Sequence, residues 1–210
     1  MATLADNALT TLEDVKDALG IAATDTTRDN YLTRLINYAS SWVETITGRK
    51  LALATYTQRY PGTGTQTMAL LQWPIVSVEY VRDTDTGTDF PATSFDATQD
   101  ADIGLLYKDD GWPLRGYAGG LSEDVRALRR YIEVNYTAGY VLPKDATPNN
   151  PATLPAALSG IVEEIVMQEY ATVQNGAQGL AAFQISDVTW TFDKEPRASW
   201  LDTLARYTRL

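Results

Sequence analysis

The hydrophobic pattern of the chain changes its period twice, and this limits the folds that are open to it. From about residue 26 to residue 47, apolar residues recur at the 3.6-residue period of an amphipathic helix. Residues 54–82 instead carry strand-like segments with period 2, rich in β-branched and aromatic side chains. The helical period returns after residue 155. Strands set between runs of helices favour an α+β fold over a parallel α/β sheet.

Both ends of the chain are predicted to be helical. A short first helix starts after Thr10 or Thr11 and stops at Gly20. The second helix ends at Gly48, and we expect its Tyr38 and Trp42 to lie in the core. The remaining helices are predicted over residues 155–174 and 196–207. Helices from both ends would pair into one small bundle, because a single apolar stripe cannot remain exposed.

The middle of the chain is predicted to form strands and turns. Strands are expected over residues 54–60, 67–71, 75–82, 103–107 and 131–136, with a weak returning strand over 89–95 and a strand or hairpin over 183–192. The pair Gly62 and Gly64 predicts a hairpin turn between the first two strands. The predicted architecture is α+β and mainly α, with residues 1–50 and 143–210 forming the bundle and residues 51–142 a β-rich insertion.

Composition excludes several classes of function. The chain of 210 residues has no cysteine and no histidine. It therefore has no disulfides, thiol nucleophile, Cys/His zinc site or Ser–His catalytic unit. The chain has 27 acidic and 17 basic residues, and its formal charge of −10 argues against binding nucleic acid through the phosphates. The first residues lack the features of an export signal, and no apolar run is long enough to span a membrane.

The acidic residues offer two candidate chemistries. Asp83, Asp85 and Asp89 superficially match a calcium loop, but the twelfth position is Ser94 where a bidentate glutamate is needed. A glycosidase needs two carboxyl groups facing each other across a cleft, whereas these aspartates fall in predicted turns. We expect solvated turns at these positions and keep a carboxylate hydrolase as an alternative. No phosphate-binding glycine motif occurs.

Two apolar segments have an open assignment. Trp112, Tyr117 and Leu121 lie in a glycine-rich loop, where they either pack on their own domain or form an interface. In the last helix, Trp200, Leu204 and Tyr207 form an apolar side next to arginines. That helix either docks on its own bundle or binds a neighbouring molecule.

Several segments together are similar to one protein family. The matching segments, in chain order, are residues 12–20 (LEDVKDALG), 29–49, 71–78 (LQWPIVSV), 134–143 (VNYTAGYVLP), 154–162 (LPAALSGIV) and 204–207 (LARY). In these segments the chain resembles the head–tail connector proteins of tailed bacteriophages, also called adaptor or head completion proteins. Residues 83–130 depart from the family pattern, being longer and more acidic.

The resemblance implies a structural virion protein. Members form a ring, usually twelvefold, beneath the portal protein, and this ring lets double-stranded DNA pass and joins the capsid to a stopper or tail protein. It implies a place at the virion neck, assembly in the host cytoplasm, and no membrane. It supplies no catalytic residue, cofactor or metal. The competing hypotheses are a phage glycan hydrolase and a carbohydrate-binding module.

In this setting three sets of residues become candidate contacts. The portal or the neighbouring subunit would meet Trp200, Leu201, Leu204, Arg206, Tyr207 and Arg209. A loop on the neck or tail side would present Trp112, Leu114, Tyr117 and Leu121. An acidic channel lining, which would let DNA slide, would use Asp83, Asp85, Asp89, Asp109 and Asp110. The same acids placed on the outer surface would serve solubility only.

Overall fold

The computed structural model describes residues 2–114, 130–174, 182–185, 188–191 and 197–208. The chain divides into two compact units. The first unit comprises Met1–Lys50 and Val141–Leu210, and the second comprises Leu51–Tyr140. Helices dominate the described part of the first unit and antiparallel strands that of the second. The α+β fold predicted from the sequence is confirmed.

The first unit is built from both ends of the chain. Its described elements are α1 (Leu12–Ala18), α2 (Asp29–Thr47), α3 (Ala156–Gln174), the antiparallel pair β7 (Ala182–Ile185) and β8 (Val188–Thr191), and α4 (Ala198–Ala205). Helices α2 and α3 pack on each other, and α1 and α4 each contact both of them. The pair β7–β8 confirms the strand or hairpin that the sequence predicts over residues 183–192.

Local signals explain where the first two helices begin and end. The Thr11 side chain accepts a hydrogen bond from the backbone N–H of Asp14 over 3.1 Å, so the predicted N-cap of α1 is confirmed. Gly48 has a φ of 67°, a left-handed conformation that stops α2 at low cost.

The core of the first unit lies between the facing sides of α2 and α3. Its buried side chains include Leu32, Ile36, Ala39, Val43, Leu158, Ile161, Val162, Ile165 and Val166. Tyr38 does not belong to this core, because 63% of it is exposed, and Trp42 is only half-buried. The expectation that both are core residues is wrong for Tyr38. The helical period allowed both, but α2 carries apolar residues on two sides and only one side faces α3.

The second unit contains a sheet of four antiparallel strands in the order β1, β6, β3, β4. Its strands are β1 (Ala54–Pro61), β3 (Ile75–Asp83), β4 (Thr88–Asp89) and β6 (Arg130–Ala138). A separate pair joins β2 (Thr67–Ala69) to β5 (Leu105–Tyr107). Short 3₁₀ turns occupy Ala92–Ser94, Ala101–Ile103 and, in the first unit, Pro143–Asp145.

Two predictions about this unit are wrong. Gly62 and Gly64 do not turn a hairpin between β1 and β2, because β1 pairs with β6 and β2 pairs with β5. The chain before β2 instead continues the β2–β5 pairing, through backbone bonds from Lys108 N–H to Gln66 and from Trp112 N–H to Thr65, both 2.8 Å. The returning strand expected over 89–95 ends at Asp89, because a 3₁₀ turn follows.

The core of the second unit surrounds the central strand β6. Tyr131, Ile132, Val134 and Tyr136 are buried on that strand, together with side chains from the other strands. The hydroxyl groups of Tyr60 and Tyr136 lie 3.0 Å apart, and they accept hydrogen bonds from the backbone N–H groups of Leu71 and Gln72, respectively. These buried polar groups are therefore satisfied, and they hold the turn that leads into β3.

Candidate interaction surfaces

Helix α4 is attached to its own unit through its large apolar residues. Trp200 is 6% exposed and Leu204 is fully buried. The indole Nε1 of Trp200 donates to Oε2 of Glu164 over 2.8 Å, and the Arg197 guanidinium lies 3.2 Å from the same oxygen. Trp200 and Leu204 therefore belong to the core of their own unit, which corrects their assignment to an interface.

The outward side of α4 keeps a smaller set of the predicted contacts. Leu201 is 41% exposed, Arg206 is exposed and Tyr207 is half-buried. Arg209 lies outside the described residues. Leu201 and Arg206 are therefore the exposed members of the predicted set among the described residues, and Tyr207 is partly accessible.

The loop residue Trp112 is also part of a core. It is fully buried, its Nε1 donates to the Leu106 carbonyl over 3.3 Å, and the Phe90 ring meets it edge-on at 5.9 Å. This corrects its assignment to an exposed loop, because Phe90 and Phe95 close over it from a segment that the strand pattern did not place there. Leu114 is 57% exposed, as an interface residue would be. Tyr117 and Leu121 lie outside the described residues.

The five aspartates proposed for a channel lining have different environments. Asp83 is buried, and its Oδ1 accepts the backbone N–H groups of Asp85 and Thr86 at 2.9 and 3.3 Å. Asp89 receives two hydrogen bonds from the Arg82 guanidinium, at 2.5 and 3.2 Å. Asp83 thus has a local structural role and is not available to a channel, which corrects its assignment to a channel lining. The exposed members are Asp85, Asp89, Asp109 and Asp110.

An open groove of about 440 Å³ runs beside β3 and contains Glu79, Asp89 and Asp96 in its lining. Hydrogen bonds from Arg82 lower the pKa of Asp89. The side-chain and backbone hydrogen bonds of Thr98 lower the pKa of Asp96. A glycosidase acid needs a raised pKa, so neither carboxyl group is suited to donating a proton near neutral pH. The hydrolase hypothesis requires a carboxyl group with a raised pKa, and Asp89 and Asp96 do not supply one.

Among the described residues, no group of three His, Cys, Asp or Glu side chains is arranged to hold a metal ion. Over the same described ranges, none of the helices combines the length and the hydropathy that a membrane span requires.

A polar seam along α2 binds the N-terminal arm, residues 2–11, and was not among the sites predicted from the sequence. Asn30 and Asn37 accept the backbone N–H groups of Ala2 and Ala5 at 2.7 and 2.8 Å. Further along α2, Ser40 accepts the Leu9 N–H at 3.0 Å, and Glu44 accepts from the Asn7 amide at 2.9 Å. The spacing of these four polar residues, at 30, 37, 40 and 44, was the available signal.

Residues 8–182 match the family described as Head completion protein. The chain belongs to the head completion protein family. This confirms the family resemblance inferred from the sequence. No curated protein matches the chain.

Solved structures share the fold of this family member. A chain described as "Neck of empty GTA particle computed with C6 symmetry" has a TM-score of 0.54 and 15% identity, covering 100% of this chain and 94% of that chain. A chain from "Neck of native GTA particle computed with C12 symmetry" has a TM-score of 0.51 and 16% identity, with 100% and 93% covered. A third, "Virion of native gene transfer agent (GTA) particle", has a TM-score of 0.53 and 15% identity, with 100% and 94% covered. At these identities the likeness concerns the fold.

Proposed function

We propose that this protein is a structural connector of the virion neck, forming a ring beneath the portal that joins the capsid to a stopper or tail protein. The family match over residues 8–182 carries the proposal. The fold supports it, because chains of the same fold come from particle necks computed with sixfold and twelvefold symmetry. The ring is twelvefold in this proposal and assembles in the host cytoplasm.

The outward side of α4 is the portal-binding surface in this proposal. Leu201 supplies exposed apolar area, and Arg206 and Tyr207 supply residue types that concentrate binding energy at interfaces. Arg209 follows two residues later. The docking of α4 through Trp200 and Leu204 supports this role, because an anchored helix loses little conformational entropy on binding.

The stopper or tail protein meets the segment that begins at Leu114 and continues to Tyr117 and Leu121. Leu114 is a large apolar residue that remains 57% exposed within its own unit. Exposed apolar groups of this kind are typical of interaction sites.

DNA passes through the ring without sequence-specific binding. Asp85, Asp89, Asp109 and Asp110 are exposed and belong to a chain with a formal charge of −10. Carboxylates facing the channel would repel phosphates and prevent the counterion release that makes basic surfaces retain DNA. The protein acts as a structural part in this proposal and performs no catalysis.

Electron microscopy of the purified protein mixed with purified portal tests the proposal. We expect a ring of added density at one end of the portal. The variant Leu201→Glu/Arg206→Glu should lose this density while keeping the thermal unfolding temperature of the unaltered protein. Leu53→Glu is the matched control, because Leu53 is 38% exposed but belongs to the other unit. Portal rings that never acquire the added density would refute the proposal.

A further inference from the structure

Helix α2 carries an apolar surface that lies outside the core formed by the described residues of the first unit. Tyr38 is 63% exposed, Ile46 is 37% exposed and Trp42 between them is half-buried. These three residues, which we call the outer stripe, are spaced by four and therefore follow one line along the helix. Arg34 is exposed and extends the same line by one turn. Tyr, Trp and Arg are the residue types that dominate binding energy at protein interfaces.

The charge along this line is opposite to that of the chain as a whole. Arg34 is its only charged residue. Its Nε donates to the Asn30 carbonyl at 3.2 Å, and within the described part of the chain no carboxylate forms an ion pair with it. A partner surface that complements the line must therefore offer apolar contact and negative charge.

The first unit has such a surface beside α1. A hollow of about 250 Å³ is lined by Glu13, Asp14, Lys16, Asp17, Ile21 and Ala23. The charge of Lys16 is already matched, because its Nζ lies 2.5 Å from a carboxylate oxygen of Asp29. Neither Glu13 nor Asp17 forms an ion pair among the residues that the structure describes. The hollow is thus acidic, and Ile21 supplies an apolar wall.

The two surfaces lie on different sides of α2. Ser40 and Glu44 hold the N-terminal arm that leads into α1. Each of them is two residues from Trp42, which places it about 160° around the helix from the outer stripe. A closed ring of identical subunits needs two different, complementary patches on each subunit. An aromatic, cationic patch and an acidic hollow on different sides of the same helix meet that requirement.

From this complementarity we infer that neighbouring copies of the chain bind each other through these patches, the outer stripe and Arg34 of one copy entering the acidic hollow beside α1 of the next. This inference rests on the ring of the proposed function and names its subunit interface. The Arg34 guanidinium pairs with Glu13 or Asp17 of the next copy, and the Tyr38 ring packs on its Ile21.

A charge exchange tests the interface. Arg34→Glu should weaken ring formation on portal, and self-association of the free chain in sedimentation, by about tenfold or more, because like charges would then face each other. Glu13→Lys/Asp17→Lys should do the same. Combining all three substitutions restores opposite charges and should recover association to within about threefold of the unaltered chain. Arg130→Glu, an exposed arginine of the other unit, is the matched control and should have no effect.

A second pair of variants tests the aromatic contact. Tyr38→Ala should weaken association by about tenfold, whereas Tyr38→Phe should retain it, because the ring supplies most of the contact area. Tyr38 is 63% exposed, so circular dichroism should show unchanged helix content for both variants.

The outcomes separate this inference from the connector proposal. Rings that form on portal with Arg34→Glu and Tyr38→Ala as readily as with the unaltered chain would overturn the interface and leave the connector standing. A triple variant as defective as its folded parents would also overturn the interface. A third outcome would support the interface and refute the connector. In it, the charge-exchange variants change self-association as expected, but the unaltered chain never attaches to portal.

Discussion

The indole nitrogen of Trp200 donates a hydrogen bond to the carboxylate of Glu164 across 2.8 Å, which joins α4 to α3. The same carboxylate accepts from Arg197, at the residue before α4 begins. Leu204 follows one turn later and is fully buried. The last helix is therefore part of the first unit rather than a detachable tail, and its outward residues can be altered independently of its inward ones.

Trp200→Ala should lower the free energy of unfolding by about 3 kcal/mol, as expected for removal of a buried tryptophan. Glu164→Ala should cost about 1 to 3 kcal/mol, because it leaves the indole N–H without its acceptor. Chemical denaturation of the full chain measures both changes. The control is Leu201→Ala, which should change the free energy of unfolding by less than about 0.5 kcal/mol. Equal effects at Trp200 and Leu201 would contradict the packing described for α4.

Trp112→Ala should destabilise the second unit by about 3 to 5 kcal/mol, because it opens a cavity between Phe90, Phe95 and the sheet. Leu114→Ala, two residues later, should stay within about 0.5 kcal/mol of the unaltered protein. Thermal unfolding followed by near-ultraviolet circular dichroism distinguishes the two. A Trp112→Ala variant as stable as the unaltered protein would mean that this side chain is not a core residue.

Gly139→Ala should be much more damaging than Gly87→Ala. Gly139 has a φ of 108°, and a Cβ there would lie 2.5 Å from the Ala52 carbonyl oxygen. Gly87 has a φ of 69° with no heavy atom within 4 Å of such a Cβ. We expect a loss of about 1 kcal/mol at Gly87 and at least about 2 kcal/mol at Gly139, since backbone strain and a clash combine there. Similar unfolding temperatures for the two variants would contradict this expectation.

The Arg82–Asp89 pair should make the second unit sensitive to acid. Hydrogen bonding to Arg82 lowers the pKa of Asp89 in the folded state. A group whose pKa is lowered by folding stabilises the fold above its unfolded pKa, and this stabilisation disappears as the pH falls through the folded pKa. Asp89→Asn should therefore flatten the decline in stability as the pH falls below about 4, the ordinary pKa of an aspartate. Carboxyl titration by NMR should place the Asp89 pKa below its ordinary value, and a raised pKa would refute the argument.

The purified protein should release no sugar from glycan or peptidoglycan substrates. The chain has no histidine or cysteine, and hydrogen bonds lower the pKa values of Asp89 and Asp96 in the groove. A reducing-sugar assay makes the measurement, with a known hydrolase as the positive control. Turnover that disappears in Asp89→Asn or Asp96→Asn would restore the hydrolase hypothesis.

The helices could be predicted from the sequence because their signals are local. The Thr11 cap, the Gly48 stop and the apolar positions of α2 each depend on neighbouring residues. Strand partners depend on distant residues, so the pairing of β2 with β5 could not be deduced from the glycines at 62 and 64. Local hydrophobicity identifies an apolar face of a helix but not the element that packs against it. This is why Tyr38 could not be separated from the core residues next to it.

The candidate surfaces were only partly predictable for the same reason. Trp200 and Trp112 had the composition of interface anchors, but each one's burial depends on residues far along the chain, Glu164 and Phe90 respectively. Leu201 and Leu114 carried no stronger signal than their neighbours, yet they are exposed large apolar residues in the described parts of those segments. The polar seam of α2 was visible as a spacing, but its partner, the N-terminal arm, has no pattern of its own.

The two ends of the second unit are bonded to each other. Tyr140 donates its N–H to the Leu51 carbonyl and accepts from the Leu53 N–H, both at 2.8 Å. The second unit, ninety residues from Leu51 to Tyr140, is thus inserted into the first unit with its two ends as close together as those of a short loop. The entropic cost of bringing the ends of an inserted segment together grows only slowly with its length. The insertion is consequently a replaceable cassette, which evolution or an engineer can lengthen, shorten or exchange while the helices that hold it keep their sequence.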